Sequence, residues 1–423
     1  MGYDICQTLS YGGRTPLRLK HRSRGYIQPI ALIAAFVVGM LALAILPSCR
    51  HGNAASQAAV QTPLPAPQPP LPVRFTIAAI GDVLIHSSLY NAAHTGGGAY
   101  DFKPLFAPVK PYLESADYTI ANLEVPVAGA HRGYSGYPCF NSPVALAYTL
   151  RWAGVDLVTT ANNHCLDKGW SGLCSTLDNL DTVGLRHVGT ARSAEEQEAP
   201  VIVSVAGVRL GLIAATYGTN GIPIPKGKEF AVNLNGQGDE LLAAARRTRA
   251  AGAEVVIAVL HWGNEYQRQP SAQQQTLGKK LLAGGVDYII ANHPHVVQPI
   301  TRPTVMREDG PHTGLIAYSL GNFVSGQRNR YRDSGIILYL TFEKSPTGSV
   351  KLVNTQYLPV YVQRGSSSGR VQYRVLPVSP DLAPFSDVVI SSEARTRMRQ
   401  IEAEMKEHLE TMDAGVTLLQ VAQ

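Results

Sequence analysis

Aspartate, glutamate, asparagine and histidine recur in this sequence at one kind of place, directly after short apolar runs. Gly81-Asp82 follows residues 74–80, with His86 four positions on. Asn122-Leu123-Glu124 follows 117–121, and Asn162-Asn163-His164, then Asp167, follows 155–160. His261-Trp262-Gly263-Asn264-Glu265 follows 253–260, and Asn292-His293-Pro294-His295 follows 286–291. A further run, 314–320, leads into Gly321-Asn322. Five of the 12 histidines fall in these windows. Neutral imidazole, carboxylate and carboxamide suit divalent zinc, manganese or iron. Two such ions about 3.5–4 Å apart can polarise a phosphoryl or acyl oxygen and stabilise developing charge. Singly, each residue has an ordinary reading: a strand-end histidine is often structural, Asp82 could cap a helix, and Asn163 could hold a turn. Their joint occurrence favours one shared metal site. His293 and His295, one residue apart in an extended segment, need a turn to reach it together.

The elements that must position these residues are legible as alternating patterns. The seven β-rich runs are 74–80, 117–121, 155–160, 209–215, 253–260, 286–291 and 314–320. They are almost continuously apolar, as expected of strands covered on both faces. Helical patterns intervene at 238–251 and 271–283, with Gly252, Gly284 and Gly285 where helices should stop. This alternation predicts an α/β fold, a layered sandwich, whose ligands gather outside the carboxyl ends of its strands. Residues 335–342 and 350–361 are expected to complete the sheets. Ser391 and Ser392 can cap a helix to about Met412, with Met398, Ile401, Met405, Leu409 and Met412 on one side. That helix either docks on its own domain or binds a partner.

The N-terminus reads differently. Residues 29–46 are apolar and uncharged, and five bases precede them, the pattern of a membrane anchor with its start in the cytoplasm. Alternatively, Leu46-Pro47-Ser48-Cys49 resembles a lipoprotein processing site in which Cys49 receives lipid. Both readings put the remainder outside the cytoplasm; a third, a buried core helix, does not. Residues 54–72, rich in Pro, Ala and Gln, read as an extended spacer. The formal charge is +6, but residues 1–50 hold six bases and one acid, leaving 31 bases against 30 acids. No basic patch for nucleic acid follows from that balance. The expected division is a basic segment 1–26, an anchor or signal 27–48, a linker 49–73, a main domain 74–365 and an extension 366–423. Among Cys139, Cys165 and Cys174, the expected bridge, if one forms, is Cys139–Cys165, because nine residues of helix separate Cys165 from Cys174 by about 13 Å.

The ordered set GDVLIH, NLE, ANNHCLDKG, HWGNEY, NHPHVVQP and YSLGNF resembles the CapA family of bacterial capsule (poly-γ-glutamate) synthesis proteins. That family is similar in fold to the calcineurin-like metallophosphoesterases. The resemblance covers about residues 75–330. It implies a metallophosphoesterase-type sandwich with two divalent ions, Mn, Fe or Zn. By the resemblance Asp82 and His295 bind the first metal, Glu124 bridges, and Asn163, His261 and His293 hold the second. His164 would protonate the leaving group. His86, Asn122, Asp167, Glu265 and Asn322 are further candidates for ligation or for orienting ligands. Tyr318 and the loop 137–143 are candidates to line the pocket. Two departures stand out: His86 is four residues from Asp82 rather than two, and the bridging group is Glu rather than Asp. The implied partners are a capsule polymer or its precursor and membrane synthase subunits. Three readings follow: an exported metal-dependent phosphoesterase-like enzyme, a non-catalytic polymer-holding component of a synthase, or a hydrolase or epimerase of peptide-like substrates.

Overall fold

Alternation along one strand decides the layering. In Val73–Leu84, Phe75, Ile77 and Ala79 join one apolar cluster and Ala78 and Ile80 another, and all five are buried. A strand apolar on both faces has to be covered on both. The computed structural model describes residues 71–367, 369–379, 389–410 and 414–419.

Two large sheets stack face to face. The first runs Arg370–Pro377, Val350–Ser367, Ser334–Lys344, Val73–Leu84, Tyr118–Leu123, Leu157–Thr159, Arg186–Val188. Its last four strands are parallel and its first three pair antiparallel. Asn322–Ser325 adds in parallel beside Val73–Leu84. The second sheet runs Ile300–Thr301, Leu315–Ala317, Tyr288–Asn292, Val255–His261, Val208–Thr216, Val201–Val205. Its four central strands are parallel. Between the sheets Ile77, Ile120 and Leu338 meet Leu212, Ile257 and Ile290. The outer face of the first sheet is covered by helices that include Ala145–Trp152 and Gly169–Val183, through Leu146, Leu150, Leu173 and Leu177. The outer face of the second is covered by Asp239–Ala250 and Ala272–Ala283, through Leu241, Leu277 and Leu281. The result is a four-layer α/β sandwich. Cutting a core residue such as Ile77 or Ile257 to Ala would cost about 2–5 kcal/mol.

The runs read as strands all appear as strands, though 155–160 and 314–320 shorten to Leu157–Thr159 and Leu315–Ala317. Helix 271–283 begins at a capping box, Ser271 accepting from the Gln274 N–H while Gln274 Oε1 accepts from the Ser271 N–H. The boundary expected at 365/366 is crossed by the strand Val350–Ser367, and Arg370–Pro377 and Val416–Leu418 both pair with it. Helix Ser392–Glu410 docks on the same unit. Ile401, Met405 and Leu409 are buried against it, and Tyr357 Oη donates to Glu410 at 2.9 Å. Met412, the basic N-terminus, the run 29–46 and Cys49 lie outside the described residues. Among the described residues no helix is long and apolar enough to cross a membrane.

The bridge Cys139–Cys165 does not form: Cys165 is a free, buried thiol, as Cys174 is a free thiol on its helix. Cys165 belongs to the apolar core, and burial pushes its thiol up to about 12. Cys139 is disulfide-bonded elsewhere, and Phe140 beside it places its ring 4.7 Å from that of His164.

Candidate metal centre

The predicted residues converge because the parallel strands of both sheets end at one level. Across the first sheet Asn322, Asp82, Asn122 and Thr159 form one rung of paired positions. Across the second, Asn292, His261 and Thr216 form another. Asp82 reaches its place through an irregular step in pairing after Ile80. Gly81 is required there by space: a Cβ on it would lie 1.9 Å from the Gly321 carbonyl oxygen. Asp82 N–H donates to that oxygen at 3.0 Å.

Two groups of potential ligand atoms form, Asp82–Glu124–His295 and Glu124–His261–His293, and Glu124 belongs to both. Atoms within each group lie within 4.8 Å of one another, and every member is buried. Asp82 Oδ2 is 3.0 Å from His295 Nδ1, and Glu124 Oε1 is 3.4 Å from His261 Nε2. Asn163 joins the second group, its Oδ1 2.8 Å from His261 Nε2. The turn demanded by His293 and His295 is present as backbone strain, with φ of 104° and 57° in the left-handed region. Such conformations cost about 1–3 kcal/mol each and gather at functional sites.

The electrostatics also identify Glu124 as the odd member. Burial and the neighbouring Asp82 charge push its carboxyl well above the usual range. For Asp82, burial opposes ionisation, but its contacts with His295 outweigh it and leave the group below its usual range. Burial, reinforced by His295, takes His293 down to about 3. Burial, reinforced by His293 and His295, takes His261 well below its usual value. Both imidazoles are therefore neutral at pH 7, the form that ligates metal. Glu124 Oε1 and His293 Nδ1 are buried with no hydrogen-bond partner among the described residues. An unpaired carboxylate oxygen and an unpaired imidazole nitrogen, facing shared neighbours, fit a divalent cation.

The remaining candidates separate into distinct places. Asn122 Nδ2 donates to Asp82 Oδ1 at 2.8 Å and lies 3.4 Å from Glu124 Oε2, and its Oδ1 accepts from Thr159. Asn322 Oδ1 is 3.2 Å from His295 Nδ1. His164 Nδ1 is 2.9 Å from Asp167 Oδ2, which also accepts from the Phe140 N–H at 2.6 Å. That pairing engages Nδ1 and leaves Nε2 as the ring's other nitrogen. His86 belongs to neither group: the Gly326 N–H donates to its Nδ1 at 3.2 Å. Glu265 is exposed and also belongs to neither. Tyr318 is buried in the outer core, stacked on Trp262 rather than lining the centre. Two neighbours are absent from the sequence reading. Tyr217 packs its ring 4.5 Å from that of His293, and Asn220 Oδ1 accepts from Asn163 Nδ2 at 3.1 Å. Both follow the strand Val208–Thr216; Asn220, an asparagine four residues past the strand end, is the signal that could have found this loop.

The model of the family described as bacterial capsule synthesis protein PGA_cap matches residues 76–327. The chain belongs to this family. A family relative, the capsule biosynthesis protein CapA of Bacillus anthracis, is 29% identical over 276 residues, 63% of this chain and 64% of the relative. The PGA biosynthesis protein CapA of Bacillus subtilis is 27% identical over 281 residues, 64% of this chain and 68% of that one. The chain thus aligns with about two thirds of the length of each. Among solved structures, the calcineurin-like phosphoesterase YfkN of Bacillus subtilis is similar with a TM-score of 0.41 and 16% identity. That similarity covers 80% of this chain and 99% of YfkN, and is too distant to carry a conclusion about activity.

Proposed function

We propose that the chain is an exported, membrane-anchored, metal-dependent phosphoesterase-like protein. It acts in the synthesis, export or anchoring of a poly-γ-glutamate-like capsule polymer. The observation that carries the chemical part is the sharing of Glu124 by two groups of ligand atoms. Asp82, Glu124 and His295 would hold one divalent ion, and Glu124, Asn163, His261 and His293 the other. When bound, the ions would polarise a phosphoryl oxygen and offset developing negative charge. Asn122 orients Asp82 and holds the carboxylates in register. Asp167 and the edge of Phe140 fix the His164 ring, so that Nε2 can deliver a proton to a leaving oxygen. Family membership and the capsule and PGA biosynthesis roles named for the two relatives support the capsule assignment. The apolar run 29–46 behind five bases supports export, with the polymer and membrane synthase subunits as partners.

The chemical test uses purified protein loaded with Mn, Zn or Fe and a chromogenic phosphodiester. Metal-dependent turnover, lost in His164→Ala with metal retained, is the expected result. Bound metal with no turnover for any of the three ions would remove the enzyme reading. A reporter active only outside the cytoplasm, fused after Gln423, should be active. An inactive one beside an active cytoplasmic reporter would remove the export reading.

A further inference from the structure

Two loops beside His295 interlock through a reciprocal exchange of side chains. Tyr266 follows the strand Val255–His261, and Tyr331 precedes Ser334–Lys344. Both hold positive φ, 67° and 72°. The Arg332 guanidinium lies 4.2 Å from the centre of the Tyr266 ring, and the Arg268 guanidinium 4.1 Å from that of Tyr331. Each loop therefore supplies the ring for the other loop's arginine. Arg330 also lies over Tyr331, but it is paired with Glu404 at 2.8 Å. Among the described residues neither Arg268 nor Arg332 makes an ion pair, although both are half-buried. Glu265, exposed beside Tyr266, pairs with neither.

The clamp is built rather than loose. Gln298, fully buried, donates to the carbonyls of Gln267 and Gln269 at 2.8 and 3.2 Å and accepts from Gln274. Asn322 donates to the Arg332 carbonyl at 2.8 Å while its Oδ1 sits 3.2 Å from His295 Nδ1. The Tyr266 N–H donates to the Pro294 carbonyl, and its ring lies 6.1 Å from that of His295. One aromatic ring thus separates Arg332 from the candidate metal centre.

A guanidinium stacked on a ring keeps its N–H edges for planar bidentate acceptors, and a carboxylate matches that fork. Arg328 donates to the Val362 carbonyl and Arg330 pairs with Glu404, which leaves Arg268 and Arg332 as the guanidiniums here without an ion pair among the described residues. A chain bearing a carboxylate at each unit fits these two groups together better than one isolated anion does. We propose that Arg332 and Arg268, presented by Tyr266 and Tyr331, form a carboxylate-binding wall that seats a polyanionic chain beside the metal centre. This rests on the capsule-polymer reading above and assigns the residues that would recognise the polymer.

The test measures binding of defined-length poly-γ-glutamate to the full chain, with inorganic polyphosphate as the comparison probe. The double variant R268Q/R332Q should weaken poly-γ-glutamate binding at least about tenfold and flatten its salt dependence. Metal content and melting temperature should stay at the wild-type values. Arg332→Lys keeps the charge but loses the fork and should fall between. If the double variant does not fold, R268Q and R332Q are measured singly, each expected to weaken binding at least threefold. Unchanged affinity in these variants, no binding by the wild type, or tighter binding of polyphosphate than of poly-γ-glutamate would each overturn the proposal. Glu124→Gln separates it from the enzyme reading, because that variant should lose metal and still bind the polymer. A wild type without turnover whose polymer binding depends on the arginines would sink the enzyme and sustain the wall.

Discussion

One strand, Tyr288–Asn292, has two very different ends. Asp287, just before it, is a buried acid with every acceptor used. Arg249 and the Val256 N–H meet one oxygen at 2.6 and 2.8 Å, and Arg307 meets the other at 2.9 Å. Five residues on, Asn292-His293-Pro294-His295 has two histidines in left-handed backbone and His293 Nδ1 without a partner among the described residues. Beside it lies Glu124, its charge disfavoured by burial and by Asp82. Buried polar groups are normally satisfied, since leaving one unpaired costs about 1–3 kcal/mol. The first end meets that rule and holds the fold together. The second breaks it in several places at once, and such clustering of strain and unmet acceptors marks a site kept for a ligand.

Substitution should break the two ends in opposite ways. His293→Ala or His261→Ala should weaken metal binding by more than the roughly 10–100-fold typical of orienting residues, with little loss of fold stability. Calorimetric titration of metal checks the first point and thermal melting of the metal-free protein the second. His164→Ala should keep metal and lose about 10²–10⁴ in turnover of a phosphodiester, the usual scale for a proton donor. At the other end, Asp287→Ala should destabilise the protein by about 2–3 kcal/mol. The figure is held below that of a fully buried pair because the Arg249 side chain is 38% exposed. Its metal affinity should not change, and a variant that lost metal while still folded would erase the contrast.

Smaller effects concern protons. The folded pKa of His293, about 3, lies below its unfolded value near 6.5, so the folded state resists protonation there. Its contribution is intact above pH 6.5 and is lost as pH falls towards 3, and burial gives His261 the same sign. Glu124 has the reverse sign, because its carboxyl is raised: its contribution is present in acid and lost as pH rises. Glu124→Gln should therefore stabilise the metal-free protein at neutral pH, by about 0.5–2 kcal/mol, while removing its metal. A destabilised metal-free Glu124→Gln would show that the carboxylate is satisfied after all.

The layers and the convergence were legible because strand faces and strand ends leave a pattern in the sequence. Phe75, Ile77 and Ala79 alternate with Ala78 and Ile80, and Asp82, His261 and Asn292 stand at the terminal rungs. Residues that matter through packing across loops leave none. Tyr217 touches the centre only through its ring, and the Tyr266–Arg332 contact joins loops over sixty residues apart. The Cys139–Cys165 expectation failed because Cys139 is disulfide-bonded elsewhere while Cys165 stays a buried free thiol, and spacing alone carried no sign of that. The C-terminal residues carried helical periodicity, but nothing local showed that Arg370–Pro377 and Val416–Leu418 would pair with one long strand.

The sharing of Glu124 by two ligand groups is the central claim, and metal stoichiometry across four proteins tests it most directly. After loading with Mn or Zn and removal of free ions, metal per chain is measured by mass spectrometry. The wild type should hold two ions. Asp82→Asn and His293→Ala should each hold about one, from opposite halves of the site, and Glu124→Gln should hold neither tightly. A Glu124→Gln protein that keeps two ions, or a folded wild type that holds none, would contradict the account.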